Sequence, residues 1–294
     1  MGIVWELDFY SRPIVDEQQK KIWELLVCQS PQDTSTDMAS LFRYTQFCPS
    51  TQVNSIWLRT ALESALAEAT QPPDRIRFFR QPMANMITKA CSELDIAAQP
   101  SRRTFALNHW LQQRLLEVYP TDPGYQPGTS PTISSPVLPP QALPEALVGQ
   151  SWAFVNLTCD ELSQMSTWAV DFGDAFPPQM LGLSPDVLIP GVVIFSPRAL
   201  PMAGWMSGLD LVFLKLQAQP IPSLGKLPSQ LILETGIRDR WVLASFTDVP
   251  TLKEARAFEA AKQEAHQVHF LAVQSHPQAE TFAGFWLLQE VNLA

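Results

Sequence analysis

Two carboxylates, Asp8 and Glu63, are the first residues whose types and spacing could do chemistry. Asp8 falls in an opening strand and Glu63 in the first helix, places from which acids converge on a divalent metal in a ribonuclease-H-like nuclease. A third acid should follow the strand Arg75–Arg80, and that place holds Arg80 and Gln81. A guanidinium there repels a metal where an anion is needed, so Asp8 and Glu63 read better as structural or surface acids. The sequence contains no Gly-x-x-x-x-Gly-Lys-Ser/Thr, no Gly-x-Gly-x-x-Gly and no Gly-x-Ser-x-Gly. Zinc chemistry is poorly served, since His266 and His269 stand together with no cysteine near them. His109, in an apolar-rich helix, reads as a packing residue. No catalytic residue, metal or cofactor is expected.

Binding chemistry is better served. The run Asp74-Arg75-Ile76-Arg77-Phe78-Phe79-Arg80 interleaves arginines with aromatics. On a regular strand Arg75 and Arg77 share one face, opposite Ile76 and Phe78. Such a surface can hold phosphates and stack bases. Arg80 falls with Ile76 and Phe78, which predicts a buried pairing for it. Arg12, Lys20, Lys21, Arg43, Arg102 and Arg103 add cations at strand ends or loops of the same segment. The competing reading puts Phe78 and Phe79 in the core and leaves the arginines to solvate an edge strand. A second candidate contact is Met202, Trp205 and Met206, in a Gly-flanked segment suited either to an adaptable protein-partner surface or to a packed loop. Trp286 joins it as a partner-docking residue, with core packing the favoured alternative.

The elements that must position these residues can be read coarsely. Ile3–Ser11 and Lys21–Gln29 are strands joined by a turn, and Leu41–Phe47 is a third. Thr51–Ala69 is helical, with Val53, Ile56, Trp57, Leu62, Ala65 and Leu66 at helical spacing and Ser50 or Thr51 as N-cap. A strand at 75–80, a helix at 83–94, a short strand within 96–102 and a helix at 104–118 follow. The order β-β-β-α-β-α-(β)-α describes an α/β fold with a mixed sheet and fits a ribonuclease-H-like layout among others. Residues 120–143 are dense in Pro, Gly, Ser and Thr and read as a linker. A second mixed α/β domain is expected over 144–294. Its strands fall at 151–157, 192–196, 210–217, 230–235, 240–246 and 269–274, with a strongly helical segment at 252–266. Residues 171–188 are expected to be irregular.

Composition narrows the function classes. The 294 residues are 46% hydrophobic and 17% charged, ordinary for a globular chain of two domains. The net charge of −9 argues against a nucleic-acid coat held by bulk electrostatics. The charge is uneven: residues 1–125 carry 12 Lys+Arg against 14 Asp+Glu, and residues 126–225 carry 2 against 7. RNA contact, if made, belongs to local patches in the first segment. No apolar run approaches the roughly 20 residues that span a bilayer, and the start lacks a signal-peptide pattern. Cys28, Cys48, Cys91 and Cys159 have no Cys-x-x-Cys spacing and read as reduced, mostly buried thiols.

The opening Trp5-Glu6-Leu7-Asp8-Phe9-Tyr10-Ser11-Arg12-Pro13, the strand Trp23–Cys28 and the closing Phe285–Glu290 together carry a family resemblance. In this order and this near the two ends, they resemble the Tab2/Atab2 family. The resemblance implies RNA binding at a 5′ untranslated region and support for translation of photosystem I reaction-centre subunits, without enzymatic activity. It carries no residue-level RNA site over to this chain. Because the sequence starts at once with the domain, a cytoplasmic, cyanobacterial protein is expected. A protein-binding scaffold or assembly factor with little RNA contact is the alternative, and a metal-dependent nuclease is a third reading.

Overall fold

The computed structural model describes residues 2–128, 138–218 and 228–291. The chain divides into two compact units. One comprises Met1–Pro31, Asp37–Ser135 and Val291–Ala294, and the other Gln32–Thr36 and Pro136–Glu290.

In the first unit, β1 (Val4–Val15), β2 (Lys21–Gln29) and β3 (Arg43–Cys48) form an antiparallel meander. The β1–β2 turn is organised by Asp16, whose carboxylate accepts the amides of Gln18 and Lys20, while Gln19 takes a left-handed φ of 61°. Helix α1 (Ser55–Glu68) follows, then β4 (Arg75–Phe78), α2 (Ala84–Ser92), β5 (Ala97–Pro100) and α3 (Phe105–Glu117). The sheet order is β3-β2-β1-β4-β5, with β4 and β5 parallel to β1. This is the α/β element order expected from the sequence. The expected N-cap differs: Ser50–Gln52 form a separate 3-10 turn, and the side chain of Asn54 caps α1 by accepting the Trp57 amide.

The period-2 pattern of the strands sorts the side chains onto two faces. Trp5, Leu7, Phe9, Leu25, Val27, Ile76 and Phe78 face one way and pack against Leu58, Ala61, Leu62 and Ala65 of α1 and Ile87, Ala90 and Cys91 of α2. The other face is polar, carries Glu6, Asp8 and Glu24, and lies under α3. The chain then stays on β1 past the expected end of the domain: Val15 donates to Gly124 O, Gln126 donates to Pro13 O, and Tyr125 bridges Ile14. Of the expected linker, residues 129–137 lie outside the described residues.

The second unit holds two sheets. Its elements are β6 (Gln141–Ala142), β7 (Ser151–Thr158), α4 (Cys159–Ser163), β8 (Val170–Asp174), β9 (Leu188–Phe195) and α5 (Ala199–Ser207). They continue with β10 (Leu211–Gln217), β11 (Ser229–Thr235), β12 (Asp239–Phe246), α6 (Val249–Glu264), β13 (Val268–Gln274) and β14 (Phe282–Gln289). One sheet runs β7-β9-β13-β14-β8 and the other β10-β11-β12-β6. Both contribute to one core with α5 and α6, including Val192, Leu214, Leu231, Leu271 and Phe258. Gly191 of β9 lies opposite Phe270 of β13, and a Cβ there would strike the ring, so the position admits only glycine without repacking.

Residues 171–174, expected to be irregular, belong to β8, an edge strand parallel to β14. Val-Asp-Phe-Gly-Asp has weak strand propensity, and the pairing with β14 supplies what local preference does not.

Candidate nucleic-acid interface

The polar face of the first sheet is a closed ionic network. Asp8 accepts from Arg12 Nη1 at 2.8 Å and from Arg80 Nε at 2.6 Å. Glu24 accepts from Arg12 Nε at 2.9 Å, the Tyr119 hydroxyl at 2.5 Å and the Thr45 hydroxyl at 2.9 Å, and also from Arg114. Glu6 accepts the Leu107 amide at 2.7 Å and the Ser30 hydroxyl. Helix α3 thus seals this face through Leu107 and Arg114. The Arg80 guanidinium lies 4.0 Å over the Tyr10 ring and 4.9 Å over Phe79.

Electrostatics follow from that packing. Burial alone would push the Asp8 carboxyl up, but Arg12 and Arg80 overcome it and hold Asp8 below the usual carboxylate range. Burial pushes the Tyr119 phenol up, reinforced by Glu24, so Tyr119 stays a protonated donor. Buried carboxylates with uncompensated charge would be expensive, and here the guanidiniums are hydrogen-bonded to them.

Asp8 and Glu63 do not converge. Asp8 lies on the polar face, whereas Glu63 sits exposed on α1, which covers the apolar face, and pairs with Arg59 at 3.5 Å. Among the described residues no three His, Cys, Asp or Glu side chains are placed to share a metal. The cysteines Cys28, Cys48, Cys91 and Cys159 are free and buried, and burial pushes Cys48 up to about 11 and Cys91 up to about 12. They are packing groups.

The basic candidates separate into three groups. Arg12, Arg77 and Arg103, expected at an RNA contact, are buried, at 4%, 3% and 3% exposure. Arg77 stands in register with Glu6 on the polar face, and Arg103 lies 5.1 Å over Phe105. The reason is that both faces of the sheet are covered, so the Arg75/Arg77 side of β4 is not a free surface. Arg75 and Arg102 are half-buried, while Lys20, Lys21 and Arg43 are exposed. Arg80 has the buried pairing expected of it, but on the polar face, because β4 ends at Phe78 and the chain turns before Arg80.

The residues expected at a Met/Trp contact surface lie mostly in the core. Met202, Met206 and Trp286 are core residues of the second unit, at 0%, 1% and 3% exposure. Trp205 is partly buried and meets Trp241 edge-on at 5.1 Å. Helix α5 packs on its sheet through Ala199, Met202, Ala203 and Met206, while Leu200, at 54% exposure, lies on its outer side.

Sequence reading missed the surroundings of Arg43. Its guanidinium lies 5.5 Å over Trp110 of α3, whose ring Arg114 approaches at 5.7 Å. Burial, with Arg43 adding to it, lowers the His109 pKa, so the imidazole beside this stack is neutral at pH 7. Arg43, Thr45 and Phe47 alternate on the α3 side of β3, as their partners Cys28, Leu26 and Glu24 require, and all three are exposed. The strand itself was legible in the sequence, but the exposure of Arg43, Thr45 and Phe47 follows from the edge position of β3.

Comparison with known proteins agrees with an RNA-binding chain. The sequence model described as RNA-binding protein Tab2/Atab2 N terminal matches residues 4–114, and that of the C-terminal domain matches residues 130–289. A protein named "Protein TAB2 homolog, chloroplastic" from Arabidopsis thaliana is 40% identical over 292 residues, covering 97% of this chain and 74% of its own. One of the same name from Zea mays is 38% identical over 295 residues, covering 98% and 71%. A solved chain from a simian T-cell lymphotropic virus intasome complex with PP2A regulatory subunit B56 gamma is 13% identical, with a TM-score of 0.31 over 53% of this chain and 62% of its own. That likeness carries no argument. With both halves matched and about two fifths of positions shared with relatives aligned over nearly all of this chain, it belongs to the Tab2/Atab2 family of RNA-binding proteins.

Proposed function

We propose that this chain binds the 5′ untranslated region of photosystem I reaction-centre messages and supports their translation, without catalysing a reaction. The observation that carries the reading is family membership across both halves of the chain. The exposed cations of the first unit, Lys20, Lys21 and Arg43, supply the local positive surface such binding needs on an acidic protein. The commitment of Asp8 to Arg12 and Arg80 supports the non-enzymatic part. The cytoplasmic, cyanobacterial setting and the ribonuclease-H-like layout belong to the same proposal. For the layout, the sheet order β3-β2-β1-β4-β5 is compatible. The scaffold alternative loses its main support with the burial of Met202, Met206 and Trp286. Crosslinking in the native cell followed by sequencing of the bound RNA tests the reading. Enrichment of photosystem I reaction-centre leaders is expected, and enrichment of unrelated messages alone would overturn it.

A further inference from the structure

The most exposed aromatic feature of the molecule sits on an open sheet edge. Phe47 is 48% exposed and is the one aromatic among the exposed large hydrophobics of the described residues. It lies on β3, the edge strand of the first sheet, where a hydrophobic ring is a liability unless something uses it. Nothing in the core needs it: its strand neighbours Tyr44 and Gln46 turn to the other face, where Tyr44 packs on the apolar core.

Arg43 shares the face and is electrostatically available. The first unit's Arg12, Arg80 and Arg114 are tied to carboxylates, whereas Arg43 has no carboxylate partner among the described residues and lies over Trp110. A guanidinium backed by an indole keeps its donors and its outer face open. His109, which burial and Arg43 keep neutral, adds a polar ring beside it.

The register orders these groups along one line. Arg43 and Phe47 are four residues apart, roughly 13 Å along the strand. Glu24 of β2 stands opposite Phe47, so the β1–β2 turn carrying Lys20 and Lys21 lies only a few residues past Phe47, roughly 10 Å on. The sequence of groups is cation, aromatic, cation.

We propose that this strip, Arg43–Thr45–Phe47 with Trp110 beside it and Lys20/Lys21 beyond it, is a contact surface for unpaired RNA. One base stacks on Phe47, and phosphates on either side meet Arg43 and the Lys20/Lys21 turn. The substrate class is single-stranded, because a base within a duplex has both faces occupied and cannot offer one to Phe47. The proposal rests on the RNA-binding reading and adds to it the place and the strand state.

The test is fluorescence anisotropy with the full chain, a labelled single-stranded RNA and a matched RNA hairpin stem. Phe47→Ala should weaken single-strand binding about 10- to 100-fold, leave the salt slope unchanged and leave the thermal midpoint unchanged. Phe47→Leu should be as weak as Phe47→Ala, and Phe47→Trp should bind like the parent, since a ring and not apolar volume is required. Arg43→Ala should weaken binding and flatten the salt slope by about 0.7. Lys253→Ala on α6 serves as the control and should change nothing. Parent-like single-strand binding by Phe47→Ala would overturn the strip and leave RNA binding standing. Failure of the parent chain to bind any RNA would overturn both. A parent dimer that Phe47→Ala abolishes, with RNA binding intact, would reassign the edge to protein pairing.

Discussion

Arg80, just past the end of β4, holds Asp8 of β1 through a 2.6 Å bond from Nε to Oδ1, joining residues 72 positions apart. Asp8 also takes Arg12, so one carboxylate ties the meander to the parallel half of the sheet. Where a nuclease would need converging acids, this chain has an acid neutralised by two guanidiniums. Asp8→Ala leaves Arg12 and Arg80 buried without this anion and should cost about 3–5 kcal/mol of unfolding free energy. Chemical denaturation measures it, and a loss below about 1 kcal/mol would show that the network is dispensable.

Arg77 and the Lys20/Lys21 pair should behave oppositely. Arg77→Ala removes a buried cation beside Glu6 and should lower stability with little change in the salt dependence of RNA binding. Lys20→Ala with Lys21→Ala should keep stability and flatten the salt slope by about 1.4 for a single strand, 0.7 for each contact. Thermal melts and anisotropy at several salt concentrations check both.

His269 makes the second unit acid-sensitive. Its Nε2 accepts the Leu214 amide at 2.7 Å and its Nδ1 faces Gln267 O at 2.9 Å, which fixes the neutral ring with the proton on Nδ1. Burial, then the charge of Lys262, pushes its pKa well below the usual 6.5. A depressed histidine pKa means that the unfolded state binds the extra proton first as pH falls. Its stability contribution is therefore full above about pH 6.5 and declines below it by about 1.4 kcal/mol per pH unit, down to the folded pKa. Denaturation of the parent and His269→Gln between pH 7.5 and 5 should show a shallower decline in the variant. Equal slopes would contradict the assignment.

Helix α5 is a core element, so Met202→Ala should cost about 2–5 kcal/mol. A mild effect on stability, with loss of a protein partner, would restore the contact-surface reading.

Much of this was legible beforehand. The period-2 patterns of Trp5–Phe9 and Leu25–Val27 and the helical spacing around Trp57 mark the first sheet and α1, because apolar periodicity is a local property. The second face was not legible: Arg77 alternates with Ile76 and looks solvent-facing until α3, more than 25 positions later, covers it. Buried arginines satisfied by distant carboxylates give the same local pattern as surface ones. Met202 and Met206 misled for the converse reason, since Gly204, which suggests a loop, sits inside a helix packed on a sheet and Gly208 caps its end. Phe47 was legible as a strand residue, but its exposure depends on β3 being the edge of the sheet, which only the topology shows.

The most direct measurement of the central claim is ultraviolet crosslinking of the purified full chain to a single-stranded leader RNA, with the attached residues mapped by mass spectrometry. RNA binding through the first unit's open edge predicts adducts within Arg43–Cys48 and at the Lys20–Lys21 turn. Adducts confined to residues 138–291, or none at all from a chain that is folded, would contradict it.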